Sequence, residues 1–210
     1  MSNRAITLTL IAFFILLSAG FMTYYFKTTR NLPKVLPVLG APGHTVDTFT
    51  FINQDGKTIT KKDVDGKVYV AEYFFTTCKG MCPKMNDNMV NIYKAFRGNP
   101  NFKILSHSVD PKNDTVAAMK AYSHRFDADA NQWMFLTGDK KRLYEMARDS
   151  YLIAAEEDTT HISIDGDFIH DNHFILVDKT GHIRGVYDGL NKPLMDTLIS
   201  DIQLLLNEPT

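Results

Sequence analysis

The sequence predicts a three-layer α/β sandwich that opens with a β-hairpin and is preceded by one transmembrane helix. Three observations lead there. Residues 5–26 form a single uncharged apolar stretch, a glycine turn flanked by strand-forming residues follows, and from residue 67 strand-like runs alternate with segments of helical apolar spacing.

The N-terminal stretch comes first. No residue from Ala5 to Phe26 is charged, Arg4 precedes it, and Lys27 and Arg30 follow. As a helix its 22 residues span about 33 Å, against roughly 30 Å of membrane hydrocarbon. Tyr24 and Tyr25 fall where an interfacial aromatic belt belongs. A cleaved signal peptide is the rival reading, but Ser18-Ala19-Gly20 is a poor cleavage site and apolar residues continue past it. An uncleaved anchor over residues 1–26 is therefore expected. No cysteine follows the stretch to accept a lipid. Lys27, Arg30 and Lys34 slightly outnumber Arg4 and the free amine, so charge alone does not place the following domain outside.

Residues 27–45 read as an extended linker, because Pro33, Pro37 and Gly40-Ala41-Pro42-Gly43 interrupt any helix. The domain is expected over 46–210. Phe49-Thr50-Phe51 and Thr58-Ile59-Thr60 flank Gln54-Asp55-Gly56-Lys57, a hairpin turn. Residues 67–75 form an apolar strand, and Pro83 to Phe96 a helix with Met85, Met89, Ile92 and Phe96 on one face, stopped by Gly98-Asn99-Pro100. Phe102 to Val109 is the next strand. Asp114 is placed to cap a helix bearing Val116, Met119, Tyr122 and Phe126. Trp133 to Leu136 is strand-like and Asp139 to Arg148 helical; 174–177 and 183–187 pair across Asp178-Lys179-Thr180-Gly181, and Asn191 caps a last helix through Leu206. Strand, helix, strand, helix, hairpin and closing helix is the order of a thioredoxin-type sandwich.

Composition narrows the function. A net charge of -1 without a long basic run argues against nucleic acid as a partner. Two cysteines cannot staple a small scaffold, so the core must carry stability. Both lie in Cys78-Lys79-Gly80-Met81-Cys82, between a buried strand and the helix after it. Open sheets place their ligands at such strand ends. A helix start favours the thiolate, so the pair can close on one metal ion or on each other. Lys79 and Gly80 between them are not core residues, which counts against a purely packed pair. Far along the chain, Phe168-Ile169-His170-Asp171-Asn172-His173 leads into the strand before the last hairpin. In this fold that loop lies beside the cysteine helix, and an imidazole there can complete a Cys₂His site. Two thiolates favour soft Cu(I), and an added imidazole admits Cu(II); zinc would need a fourth ligand or water. Met85 and Met89 sit on the core stripe, while Met81 lies inside the thiol loop, where it could shield a metal.

Phe74-Phe75-Thr76-Thr77-Cys78, Cys82-Pro83, Ser108-Val109-Asp110-Pro111 with Asp114-Thr115, and a histidine eight residues before Asp178-Lys179-Thr180-Gly181 together resemble the Sco/SenC family. The resemblance covers residues 46–206. It implies a membrane-tethered, thioredoxin-fold copper chaperone for cytochrome c oxidase, whose partner is the subunit that carries the two-copper centre. It further implies Cys78 and Cys82 as sulfur ligands, His170 as the imidazole ligand, and Asp110 as an acidic neighbour of the metal. His173 falls where thioredoxins keep a proline beside their disulfide, so it is an alternative or supporting ligand. The implied location is the cytoplasmic membrane, single-pass, with the domain on the periplasmic side. The alternative function is a thiol-disulfide oxidoreductase that uses Cys78 and Cys82 to reduce a periplasmic target. Its weakness is the three-residue spacing between the thiols, where thioredoxins have two.

Overall fold

A computed structural model describes residues 3–30, 35–153 and 171–209 of the chain. Helix α1 (Asn3–Arg30) is long and apolar enough over Asn3–Lys27 to cross a membrane, and its apolar side chains are exposed. It belongs to a separate unit from the one that begins at Leu36.

In that second unit seven strands form one sheet. They are β1 (Thr50–Asn53), β2 (Thr58–Thr60), β3 (Val68–Phe74), β4 (Phe102–Ser108), β5 (Trp133–Thr137), β6 (His173–Val177) and β7 (Ile183–Asp188), in spatial order β2-β1-β5-β4-β3-β6-β7. The central β3, β4 and β5 run parallel, while β1 joins β5 and β6 joins β3 antiparallel. This is the expected thioredoxin-like order.

All seven residues of β3 are buried, because the sheet is covered on both faces. Its side chains alternate between two cores. Val68, Val70 and Phe74 meet α2 (Met81–Phe96), α3 (Val116–His124) and α5 (Lys192–Asn207) through Met85, Met89, Ile92, Met119, Leu198 and Ile202. Tyr69, Ala71 and Tyr73 meet α4 (Lys140–Glu145) and the segment before β1 through Leu143, Tyr144, Val46 and Phe49. Helices on each side of one sheet give the three layers.

Local chemistry moves several boundaries. Helix α2 starts two residues before Pro83, which the first turn tolerates because its N–H would be unpaired in any case. Thr115, not Asp114, caps α3: its hydroxyl accepts from Ala118 N at 3.2 Å. Asp114 turns inward. Helix α4 passes into a π-helical turn, Met146–Ser150, and Asn191 precedes α5 without a side-chain capping bond. The hairpin turn closes on Asn53, whose Oδ1 accepts from Asp55 N and Lys57 N, with Gly56 at φ +74°.

Of the stretch 27–45 expected as a linker, the residues from Leu36 onward lie on the folded unit. Leu36 is buried, Leu39 bridges Ile183, and Arg184 donates to the carbonyls of Leu36 and Pro37. The same guanidinium pairs with Asp178 at 2.9 Å and Glu208 at 3.0 Å, so it joins this strap to β7 and the C-terminal end.

Candidate metal and thiol site

The chain leaves the sheet after Phe74, whose carbonyl accepts from Val109 N at the end of β4. Three bonds then direct it. Thr76 donates its backbone N–H (2.9 Å) and its hydroxyl (2.6 Å) to Asp114 Oδ1, and Cys78 N donates to the Phe75 carbonyl. The residue before α2 is Gly80, which has no side chain to satisfy the first N–H groups of the helix. The Cys78 sulfur takes that place. It accepts from the backbone N–H groups of Cys82, Gly80 and Met81, and from the Cys82 thiol.

This makes the two sulfurs unlike. Burial pushes the Cys78 thiol up, but the bonds from the Cys82 thiol and the three N–H groups outweigh it and bring Cys78 below the ordinary cysteine value. Cys82 is pushed up to about 12, first by burial, then by its bond to Cys78 and the nearby Glu72. One sulfur is half-buried with thiolate character; the other is buried and protonated. Both are free thiols.

Glu72 belongs to none of the motifs that mark the site in the sequence. Its sequence signal is that it is the one acidic residue inside a strand apolar on both faces. Its side chain points with Val70 and Phe74 toward the α2 side and is fully buried. Burial raises its carboxyl to about 7, only partly offset by a bond from Ser106 Oγ (2.6 Å) to Oε1. Trp133 Nε1 donates to the same Ser106 hydroxyl, while Glu72 Oε2 has no partner.

His173 opens β6, and extending the β3–β6 register by two residues sets it level with Tyr73, at the sheet end from which the thiol loop departs. Asp171 Oδ1 lies 2.7 Å from its Nδ1, so Nδ1 donates to the carboxylate and Nε2 is the nitrogen outside that bond. Hydrogen bonds tie this strand start to the cysteine helix. Asn88 of α2 donates to the Gly189 carbonyl (2.7 Å), Gly189 N to the Asn172 carbonyl (2.7 Å), and Asn172 Nδ2 to Asp188 (2.8 Å). Gly189 allows this approach, since a Cβ there would meet Asn172 O at 2.9 Å and the Phe174 ring at 3.0 Å.

His170 lies outside the described residues. Asp110 builds the turn after β4: its N–H donates to Ser108 Oγ, and its carboxylate accepts from Asn113 Nδ2 at 2.7 Å. Met85 and Met89 are fully buried, and Met81 packs partly against the same core. His44 contacts the Ser150 carbonyl, His182 contacts Thr180, and His107 stacks on Tyr73 in the opposite core. Among the described residues the two thiols converge, but no group of three or more His, Cys, Asp or Glu side chains is poised around one ion.

Against known proteins, the SCO1/SenC family model matches residues 39–207. A SCO1 protein homolog of Bacillus subtilis is 31% identical over 162 residues, covering 76% of this chain and 82% of the relative. The solved structure of BsSco, a member of the Sco family of cytochrome c oxidase assembly proteins with an identified disulfide switch, superposes with a TM-score of 0.67 at 30% identity, over 82% of this chain and 99% of that one. Copper-bound ScoI of Bradyrhizobium japonicum shares the fold, with a TM-score of 0.61 at 24% identity over 77% of this chain and 99% of that one.

Proposed function

The chain belongs to the SCO1/SenC family, and we propose that it carries copper as cargo to the two-copper centre of a cytochrome c oxidase subunit. The supporting observation is the thiol pair itself. Two sulfurs already share a hydrogen bond at a helix start whose N–H groups favour the thiolate, a donor set suited to a soft ion. Cys78 and Cys82 supply the sulfur ligands and His170 the imidazole. His173 and Asp110 are supporting groups, with His173 Nε2 the alternative nitrogen. Ligand exchange passes the ion on without a covalent step. In this reading α1 is an uncleaved anchor in the cytoplasmic membrane with the domain on the periplasmic side, which keeps donor and acceptor in one membrane plane and raises their effective concentration.

A second reading is favoured by the unlike thiols. The Cys78 thiolate attacks a target disulfide and releases one target thiolate. Cys82 then loses its proton and attacks Cys78, which frees the second target sulfur and leaves a Cys78–Cys82 disulfide. Two electrons pass to the target.

Copper(I) loading of the reduced full chain in detergent separates the two. The carrier reading predicts near-stoichiometric retention that His170→Ala weakens severely, by more than the roughly 10- to 100-fold that loss of an outer-shell partner costs, while disulfide exchange survives. Full exchange activity in a parent that retains no copper would establish the reductase alone.

A further inference from the structure

Asp114 is fully buried, and neither of its oxygens serves the helix it precedes. Oδ1 takes both donors of Thr76, and Oδ2 takes the Ser108 hydroxyl at 2.5 Å. The carboxylate therefore joins the end of β4 and the approach to α3 to the exit of β3, 38 residues away. Burying a carboxylate is costly unless hydrogen bonds compensate, and these three offset part of that cost, with burial still holding the carboxyl above its ordinary value. Thr115 already caps the helix, so the inward turn of Asp114 has another consequence. Only Thr77 separates the clamped Thr76 from Cys78, whose own N–H is held by Phe75. The path to the sulfur has little slack at either point.

From this geometry we infer that Asp114 is a positioning residue for the thiol pair: by gripping Thr76 it holds the Cys78 sulfur over the first N–H groups of α2 and beside Cys82. The inference rests on the reading of Cys78 and Cys82 as copper ligands. Asp114 itself touches neither sulfur. Released from the clamp, residues 76–80 lose the anchor that sets the sulfur-to-sulfur separation, and the site must reassemble around each incoming ion. Ser108 holds Asp114 from the far side, so its loss weakens the fold locally without freeing Thr76.

The experiment compares copper(I) retention, by competition with a chelator, against thermal stability in the full chain and four variants. Thr76→Val and Asp114→Ala remove half or all of the clamp. Asp114→Asn keeps an oxygen for Thr76, and Ser108→Ala leaves both Thr76 bonds in place. Asp114→Ala should lower copper affinity about 10- to 100-fold, as loss of an outer-shell partner does, with Thr76→Val smaller in the same direction. Asp114→Asn and Ser108→Ala should stay near the parent, although Ser108→Ala also lowers the melting temperature. Affinity that simply follows melting temperature across the series, or an Asp114→Ala protein with parental affinity, overturns the inference. Should Asp114→Ala fail to fold, Thr76→Val against Ser108→Ala decides it. A parent that retains no copper refutes the carrier reading instead, and disulfide-exchange rates of the same variants then test the clamp.

Discussion

Glu72 and His107 should give the domain a stability plateau with two limbs of different origin. Glu72 keeps its proton to about pH 7 when folded, against an ordinary value of 4.5, because burial beneath α2 disfavours its charge. Folding thus takes up a proton between those values, and stability falls as pH rises from 4.5 to about 7, then levels. The difference of about 2.5 units at 1.36 kcal/mol each amounts to about 3 kcal/mol. His107 acts in the opposite sense. Burial among Tyr73, Phe51 and Tyr151 drops it from 6.5 to about 3, so the unfolded chain binds the proton first and stability is lost as pH falls below 6.5. Between 4.5 and 6.5 the two slopes oppose each other. Glu72→Gln removes the falling limb, so its urea-unfolding free energy relative to the parent should rise by about 3 kcal/mol from pH 4 to pH 8. His107→Phe keeps the aromatic stacking and should gain about 3 kcal/mol relative to the parent from pH 7 to pH 4. Every other titrating group is common to parent and variant and cancels in the difference. A Glu72→Gln difference that stays constant with pH would refute the reasoning, since it would mean that Glu72 is charged in the folded state at neutral pH.

Three further outcomes follow from single contacts. Iodoacetamide at pH 7 should label Cys78 before Cys82 in the reduced, metal-free protein, read by peptide mass mapping, because Cys78 is the more exposed and more acidic thiol. Arg184→Ala should cost about 3–5 kcal/mol in chemical unfolding, as breaking a buried ion pair does, since it leaves Asp178 Oδ2 without its partner and frees Leu36 and Pro37. Gly189→Ala should lower stability by about 1–3 kcal/mol through overpacking against Asn172 and Phe174, a loss read as a lower melting temperature.

The elements were legible where their chemistry is local. The β3 run, the 3.6-residue stripe of α2 and the Asp55-Gly56 turn each carry their signal within a few residues, and the structure keeps all three. Departures arose where a side chain chose a distant partner over a near one. Asp114 could cap α3 by sequence, but Thr115 does so, and the carboxylate reaches Thr76, 38 residues away. The strap at Leu36 and Pro37 was hidden for the same reason: prolines and glycines suggest a linker, and nothing nearby announces Arg184, 147 residues from Pro37. Glu72 is masked in the sequence by the apolar majority of its run.

The site owes its assembly to strand direction. Parallel β3 and β4 end at the same edge of the sheet, and antiparallel β6 begins there. That one edge therefore gathers the thiol loop leaving β3, the Asp110–Asp114 turn leaving β4 and the Asp171–His173 segment entering β6. A cysteine pair alone admits many meanings, since chance pairs at this spacing are common. What separates this one is that each neighbouring segment at the edge is bonded to its surroundings: Thr76 to Asp114, Asn172 through Gly189 to Asn88, and the Cys78 sulfur to the helix start. Packing alone would ask only for apolar volume at this edge, whereas these bonds hold two sulfurs of unlike acidity at fixed places. Preorganisation of that kind favours reversible binding or exchange at the thiols, because the ordering cost is met during folding and not at each encounter.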